Sequence, residues 1–183
     1  NSGIATLKAC VNKTMTGDIL PTILLPRRCD ADALNNRELA LLDKETEKSF
    51  KIKLVSKEEQ NLSEKQLKNL SLFTPKEIDF EAQCLMDNIM PEREIKLRKG
   101  TVVMCIANLN VESHRPIVNG SQGVIVDYKN DYPVVKFAND ITEIIMPHTW
   151  SSEKIPGIAV KQLPLIYAWA VTIHKAQGLT LDR

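Results

Sequence analysis

Glycine is scarce in this sequence, at seven residues in 183. That leaves no room for a hidden G-x-x-x-x-G-K-[ST] phosphate loop, and neither this loop nor a dinucleotide fingerprint occurs. Long apolar runs are missing too: nothing approaches the roughly 18 residues that a membrane span needs. No basic–apolar–small segment opens the sequence, so nothing in it indicates secretion. Charge of one sign is not in excess. Lys and Arg number 24 against 23 Asp and Glu, a net charge of +1, which excludes a histone-like basic binder. Any contact with nucleic acid must come from a local patch. With 43% hydrophobic residues, the chain is neither collagen-like nor disordered, and it is long enough to bury a real core.

Cysteine is equally uninformative as a scaffold. Cys10, Cys29, Cys84 and Cys105 are scattered, with no C-x-x-C pair and no histidine at ligand spacing. Neither a disulfide framework nor a metal site is expected, and Cys84 and Cys105 read as small core residues. The expectation is a reducing, intracellular setting; nucleus, mitochondrion and viral replication site are not distinguished. His114, His148 and His174 lie too far apart for spacing to suggest a triad.

What is present is an α/β pattern at both ends and β structure between. Residues 19–25 form a short apolar run before Pro26, suited to a buried strand. A helix follows with Leu34, Leu41 and Leu42 on one face and Asp30 or Asp32 as N-cap. A strand, a loop and a capped helix make the unit of a parallel sheet. Phe50, Ile52 and Leu54 alternate with lysines as a half-buried strand, and residues 56–69 are polar. Thr74-Pro75-Lys76-Glu77 is a helix start with a capping box, and Pro91 ends that helix near Met90.

From residue 95 short strands are expected over 101–107, 124–128, 134–137 and 141–146, joined by turns. Asn119-Gly120 reads as a type I′ turn. This spacing indicates a small barrel, although a twisted sheet has the same pattern. Residues 158–165 read as a strand and 167–177 as a helix capped by Gly178. Arg93, Lys96, Arg98, Lys99 and Arg115 form either a phosphate-facing patch or a solvated charge run. Trp169 reads as core. Tyr128, Tyr132 and Phe137 offer faces to bases, while their alternation favours packing.

The densest chemistry lies at residues 172–178, where Thr172, His174, Lys175 and Gln177 gather beside Gly178. A hydroxyl, an imidazole, an ammonium and a carboxamide all suit phosphate oxygens, and glycine lets a phosphate approach the backbone. On a helix, Thr172, Lys175 and Ala176 share one face, and His174, Gln177 and Gly178 another. The ordinary alternative is a capped helix whose polar residues face water.

The run Ala168-Trp169-Ala170-Val171-Thr172-Ile173-His174-Lys175-Ala176-Gln177-Gly178 resembles motif V of superfamily-one DNA helicases, in the branch of the Pif-type and RecD-like enzymes. Gln162-Leu163-Pro164-Leu165 ahead of it is similar to the Pif-type lineage. Leu97-Arg98-Lys99-Gly100-Thr101 through Val118-Asn119-Gly120-Ser121-Gln122-Gly123 resembles the family's SH3-like insertion. Leu25-Pro26-Arg27-Arg28-Cys29-Asp30, with Asn35, resembles motif IV.

The resemblance implies an α/β fold: part of a second RecA-like domain (1–94 and 158–183) with an SH3-like β-barrel inserted at 95–157. It implies the C-terminal portion of an ATP-dependent 5′-to-3′ helicase acting on single-stranded DNA and DNA junctions, with ATP and Mg2+ bound between two motor domains. Thr172 and His174 would then contact DNA, with Asn119 near it. Gln177 and Gly178 would relay nucleotide state, and Lys175 would serve either ligand. Arg27 and Arg28 stand where motif IV has Thr-Asn, so a carried-over contact gives way to an arginine facing phosphate. The phosphate loop and the arginine-bearing motif VI do not occur, so the chain alone is expected to be an inactive fragment. A non-catalytic nucleic-acid- or protein-binding module with a helicase-derived fold is the alternative; no membrane partner is expected, and the sequence leaves the oligomeric state open.

Overall fold

The structure, a computed structural model, describes residues 21–56, 58–60, 62–110, 112 and 116–177. Cys10, His114, Arg115 and Gly178 lie outside the described residues.

The described residues open with β1 (Ile23–Leu25) and α1 (Arg28–Leu41), then β2 (Lys48–Lys51) and β3 (Lys53–Leu54). Helices α2 (Glu64–Leu70) and α3 (Pro75–Asn88) follow. Next come β4 (Glu94–Leu97), β5 (Val102–Cys105), β6 (Gln122–Lys129), β7 (Tyr132–Phe137), β8 (Thr142–Ile144) and β9 (His148–Ser151). The last elements are β10 (Ala159–Gln162), β11 (Leu165–Tyr167), β12 (Ala170–Thr172) and the one-turn helix α4 (Ile173–Ala176).

Four sheets result. β1 and β12 pair in parallel, with Leu25 opposite Thr172. The central sheet is an antiparallel ladder in the order β11-β5-β6-β7-β8, and among the described residues no rung joins β8 to β11. β3-β10-β9 and β2-β4 complete the set. Alternation along β5 divides the interior. Val103 and Cys105 point into the main core with Ile95, Leu97, Ile125, Val135 and Phe137. Met104 points the other way, onto Ile166, Ala168 and Val171. That second layer carries β12 and α4.

α3 forms as its sequence predicts. The Thr74 hydroxyl accepts the Glu77 N–H at 3.3 Å, and the Glu77 carboxylate accepts the Thr74 N–H at 2.8 Å. The helix ends at Asn88, two residues before Met90.

Elsewhere tertiary context overrides the local reading. α1 begins at Arg28 with Arg27 at its N-cap and no side-chain cap, while Asp30 sits in the first turn, where the helix dipole favours a carboxylate. Its buried face is Ala31, Asn35 and Leu39; Leu41 is 76% exposed. β1 is not buried: it pairs on one edge, and Ile23 and Leu24 are about half exposed, at 49% and 46%. The polar stretch from residue 56 contains α2, started by a capping box between Ser63 and Gln66. The strand expected over 50–54 is two, because residues 48–51 pair with β4, a register that the Ile52 N–H continues to the Arg93 carbonyl at 2.8 Å, while Lys53 and Leu54 pair with β10. The stretch 158–165 also breaks into two strands around Leu163-Pro164, where a proline cannot donate to a ladder. β9, unforeseen, pairs with β10.

Two turns exchange roles. At Asn119-Gly120 only Gly120 has positive φ, +103°, so the turn is not type I′. Asn130 (+50°) and Asp131 (+65°) both adopt the left-handed conformation that type I′ requires, between β6 and β7.

Candidate nucleic-acid interface

The segment expected to be one helix over 167–177 is a strand, a second strand and a single turn. Trp169 and Tyr167 stack with centroids 6.2 Å apart, and Trp169 is half-buried between β11 and β12. Thr172 is therefore not on a helix face. It ends β12, is buried, and its hydroxyl oxygen accepts the Lys175 N–H at 3.3 Å, capping α4. The hydroxyl proton remains available as a donor. His174 and Gln177 are exposed, and Lys175 is half-buried.

The position of β12 is set from across the sequence. Asn35 is buried on α1. Its Nδ2 donates to the Ala170 carbonyl and its Oδ1 accepts the Ala170 N–H, both at 2.9 Å. Asn35, in the stretch that resembles motif IV, thus seats β12. Gln162 does the same for the facing loop. Nearly fully buried, its Nε2 donates to the carbonyls of Glu92 at 2.9 Å and Phe50 at 3.1 Å.

These anchors shape a cleft. Its inner part is lined by Arg28, Asp32 and Asn35 from α1, Glu92 from the loop after α3, and Thr172 and Lys175. It opens into a groove of ≈ 710 Å³ between residues 86–94, Arg28, His174 and Lys175. Arg28, Thr172, His174 and Lys175 are thus brought together. Arg27 is exposed at the α1 N-cap beside Arg28 but does not line the cleft, nor does Gln177 at the α4 C-cap. Asn119 is elsewhere, in the Val118–Ser121 turn, with its N–H donating to Asn108 Oδ1 at 2.8 Å.

Sequence reasoning missed Glu92, because an acidic residue just after the helix-ending Pro91 has no motif. Burial holds its carboxyl above the usual range and Asp32 adds to this, while Lys175 and Arg28 pull the other way.

The basic run near residue 95 is mostly committed within the fold. Arg98 donates to the Leu39 and Leu42 carbonyls at 2.9 and 2.8 Å, where α1 ends, and twice to Glu47, at 2.9 and 2.8 Å. Arg93 pairs with Asp87 and Lys99 with Asp127. Phe137 is core; Tyr128 donates to the Leu97 carbonyl at 2.7 Å, and Tyr132 packs against the main core.

The family model for the 2B domain of DNA helicase Pif1 matches residues 82–128. ATP-dependent DNA helicase PIF1 of Xenopus laevis is 41% identical over 106 residues, 55% of this chain and 16% of that protein. The Homo sapiens protein is 37% identical over 107 residues, 56% of this chain and 16% of its own length. ATP-dependent DNA helicase Pif1 of Bdellovibrio bacteriovorus is 30% identical over 164 residues, 88% of this chain and 32% of that protein. The chain therefore spans about a sixth of the vertebrate relatives it matches and a third of the bacterial one. In fold it is similar to the Pif1 helicase from Candida albicans (TM-score 0.65, 24% identity, 94% of this chain and 40% of that one). It is also similar to Bacteroides Pif1 bound to single-stranded DNA (TM-score 0.56, 21% identity, 100% and 38%). By sequence and by fold the chain is related to the Pif-type helicases of superfamily one, aligned with a stretch of them that includes the 2B domain.

Proposed function

We propose that the chain supplies a single-strand grip to an ATP-dependent 5′-to-3′ DNA helicase that works at junctions inside a reducing compartment. Residues 1–94 and 158–183 serve as part of its second motor domain, and 95–157 as the SH3-like insertion. The observation that carries this reading is the cleft, where Arg28, Thr172, His174 and Lys175 meet although α1 and α4 stand at opposite ends of the described chain. Hydroxyl, imidazole, guanidinium and ammonium groups on one concavity suit a strand's phosphates.

Arg27 extends the basic side of the cleft, and Asn119 lies near DNA on the insertion. Lys175, Gln177 and Gly178 pass nucleotide state to the strand. Arg28 and Lys175 can meet a phosphate, but without a phosphate loop the chain cannot wrap one. ATP and Mg2+ would be held mainly by the other motor domain, where ATP would supply the free energy of hydrolysis and Mg2+ would offset charge on its phosphates.

The test is anisotropy of a fluorescein-labelled single-stranded oligodeoxynucleotide titrated with this chain. Saturable binding that weakens as salt rises is expected. No binding at low salt, or equal binding by a His174→Ala/Lys175→Ala double variant, would overturn the reading.

A further inference from the structure

Four carboxylates line the inner cleft and the groove, and three have a partner of their own. Asp32 pairs with Arg28 at 3.5 Å, Asp87 with Arg93 at 2.6 Å, and Glu94 with Ser49 and Lys51. The fourth, Glu92, makes no hydrogen bond or ion pair within 4 Å among the described residues, and neither does the ammonium of Lys175. Both line the inner cleft and the groove. Glu92 is not there by drift. Pro91 before it is buried, and Gln162 holds its own carbonyl and the next, at 2.9 and 3.4 Å.

From this placement we infer that Glu92 is a positioning residue: its carboxylate shares the cleft with the Lys175 ammonium without contacting it and offsets part of its field, so its charge sets how tightly the cleft holds the phosphates of a bound strand. The inference deepens the function proposed above and rests on it. A carboxylate and a phosphate are both anionic acceptors for one ammonium. In a half-buried cleft their mutual repulsion is screened less than at an open surface. The other charges facing Glu92 do not substitute for it. Asp32 and Arg28 pair with each other on α1, Asp87 and Arg93 do so at the end of α3, and Tyr167 on β11 donates to the Lys96 carbonyl at 2.6 Å. His174 lines only the outer groove.

The test uses the same labelled oligodeoxynucleotide and this chain. Glu92→Gln keeps the shape and removes the charge; it should tighten binding about fivefold at low salt. Glu92→Asp, which keeps the charge, should bind as the parent does. In a Lys175→Ala background Glu92→Gln should gain nothing, because the ammonium whose field it offsets is gone. An unchanged affinity for Glu92→Gln, an equal gain in the Lys175→Ala background, or Glu92→Asp binding as tightly as Glu92→Gln would each overturn the inference while leaving the strand grip standing. Inorganic tripolyphosphate separates the two sources of phosphate: if Glu92→Gln binds it more tightly but not the oligodeoxynucleotide, the phosphate held is a nucleotide's and the strand assignment falls. If the parent and both Glu92 variants all fail to bind the oligodeoxynucleotide, the proposed function fails and this inference with it. Thermal melting confirms that Glu92→Gln and Glu92→Asp remain folded.

Discussion

Asn35 on α1 and Ala170 on β12 exchange two hydrogen bonds of 2.9 Å, so one side-chain amide satisfies both backbone groups of a residue 135 positions away. Asn35→Ala leaves a buried N–H and a buried carbonyl without partners. It should lower stability by roughly 2–4 kcal/mol in urea denaturation, since each orphaned group costs about 1–3 kcal/mol. An effect below about 1 kcal/mol would show that water or a neighbour replaces the amide.

Arg98 plays a similar part at the other end of α1, its side chain only 11% exposed. Arg98→Ala should cost roughly 2–4 kcal/mol, because it strips two helix-terminal carbonyls and one carboxylate of their donor. The effect depends on pH with a definite sign. The Arg98 hydrogen bond holds the Glu47 carboxyl below its usual range, against a smaller opposing effect of burial. Its contribution is therefore present above the ordinary glutamate pKa of about 4.3 and is lost as pH falls through the lower folded value. Between neutral pH and pH about 3, the Arg98→Ala variant should lose less stability than the parent. Parallel curves would sink this account.

Gly123 has no room for a side chain, although its backbone is ordinary. A Cβ there would lie 2.6 Å from Val135 Cγ1 and 2.9 Å from the Lys136 carbonyl oxygen. Both neighbours are fixed in the β6–β7 ladder. Gly123→Ala should therefore destabilise the chain by about 1–3 kcal/mol in thermal or chemical unfolding.

His174 is exposed and lines the outer groove. His174→Ala should reduce affinity for a single-stranded oligodeoxynucleotide roughly 3–10-fold, the worth of one polar contact to phosphate, and leave the melting temperature unchanged. If stability fell in step with affinity, the residue would be structural.

Turnover of ATP by this chain, with or without single-stranded DNA, should be undetectable in a phosphate-release assay, because no phosphate loop is present to orient the nucleotide. Activity that survives further purification would contradict this.

Local chemistry was legible wherever it is completed within a few residues. Thr74, Pro75 and Glu77 start α3 by contacts that span one turn, and β5 alternates because its two faces meet different layers. The residue types of the cleft were legible as well, since hydroxyl, imidazole and ammonium groups suit phosphate in any fold. What depends on distant partners was not. Thr172, Lys175 and Ala176 have helical spacing, yet Thr172 is a strand residue because Leu25 and Asn35, far upstream, hold β12 extended. Glu92 belongs to the cleft only because Gln162 pins its loop, and Arg98 looks like a surface charge until α1 and Glu47 close around it. Sequence by itself determined which groups are available and which short elements cap themselves. Tertiary structure alone decided which groups face one another, because burial and hydrogen bonding across more than 50 residues outweigh the few tenths of a kcal/mol per residue that separate local propensities.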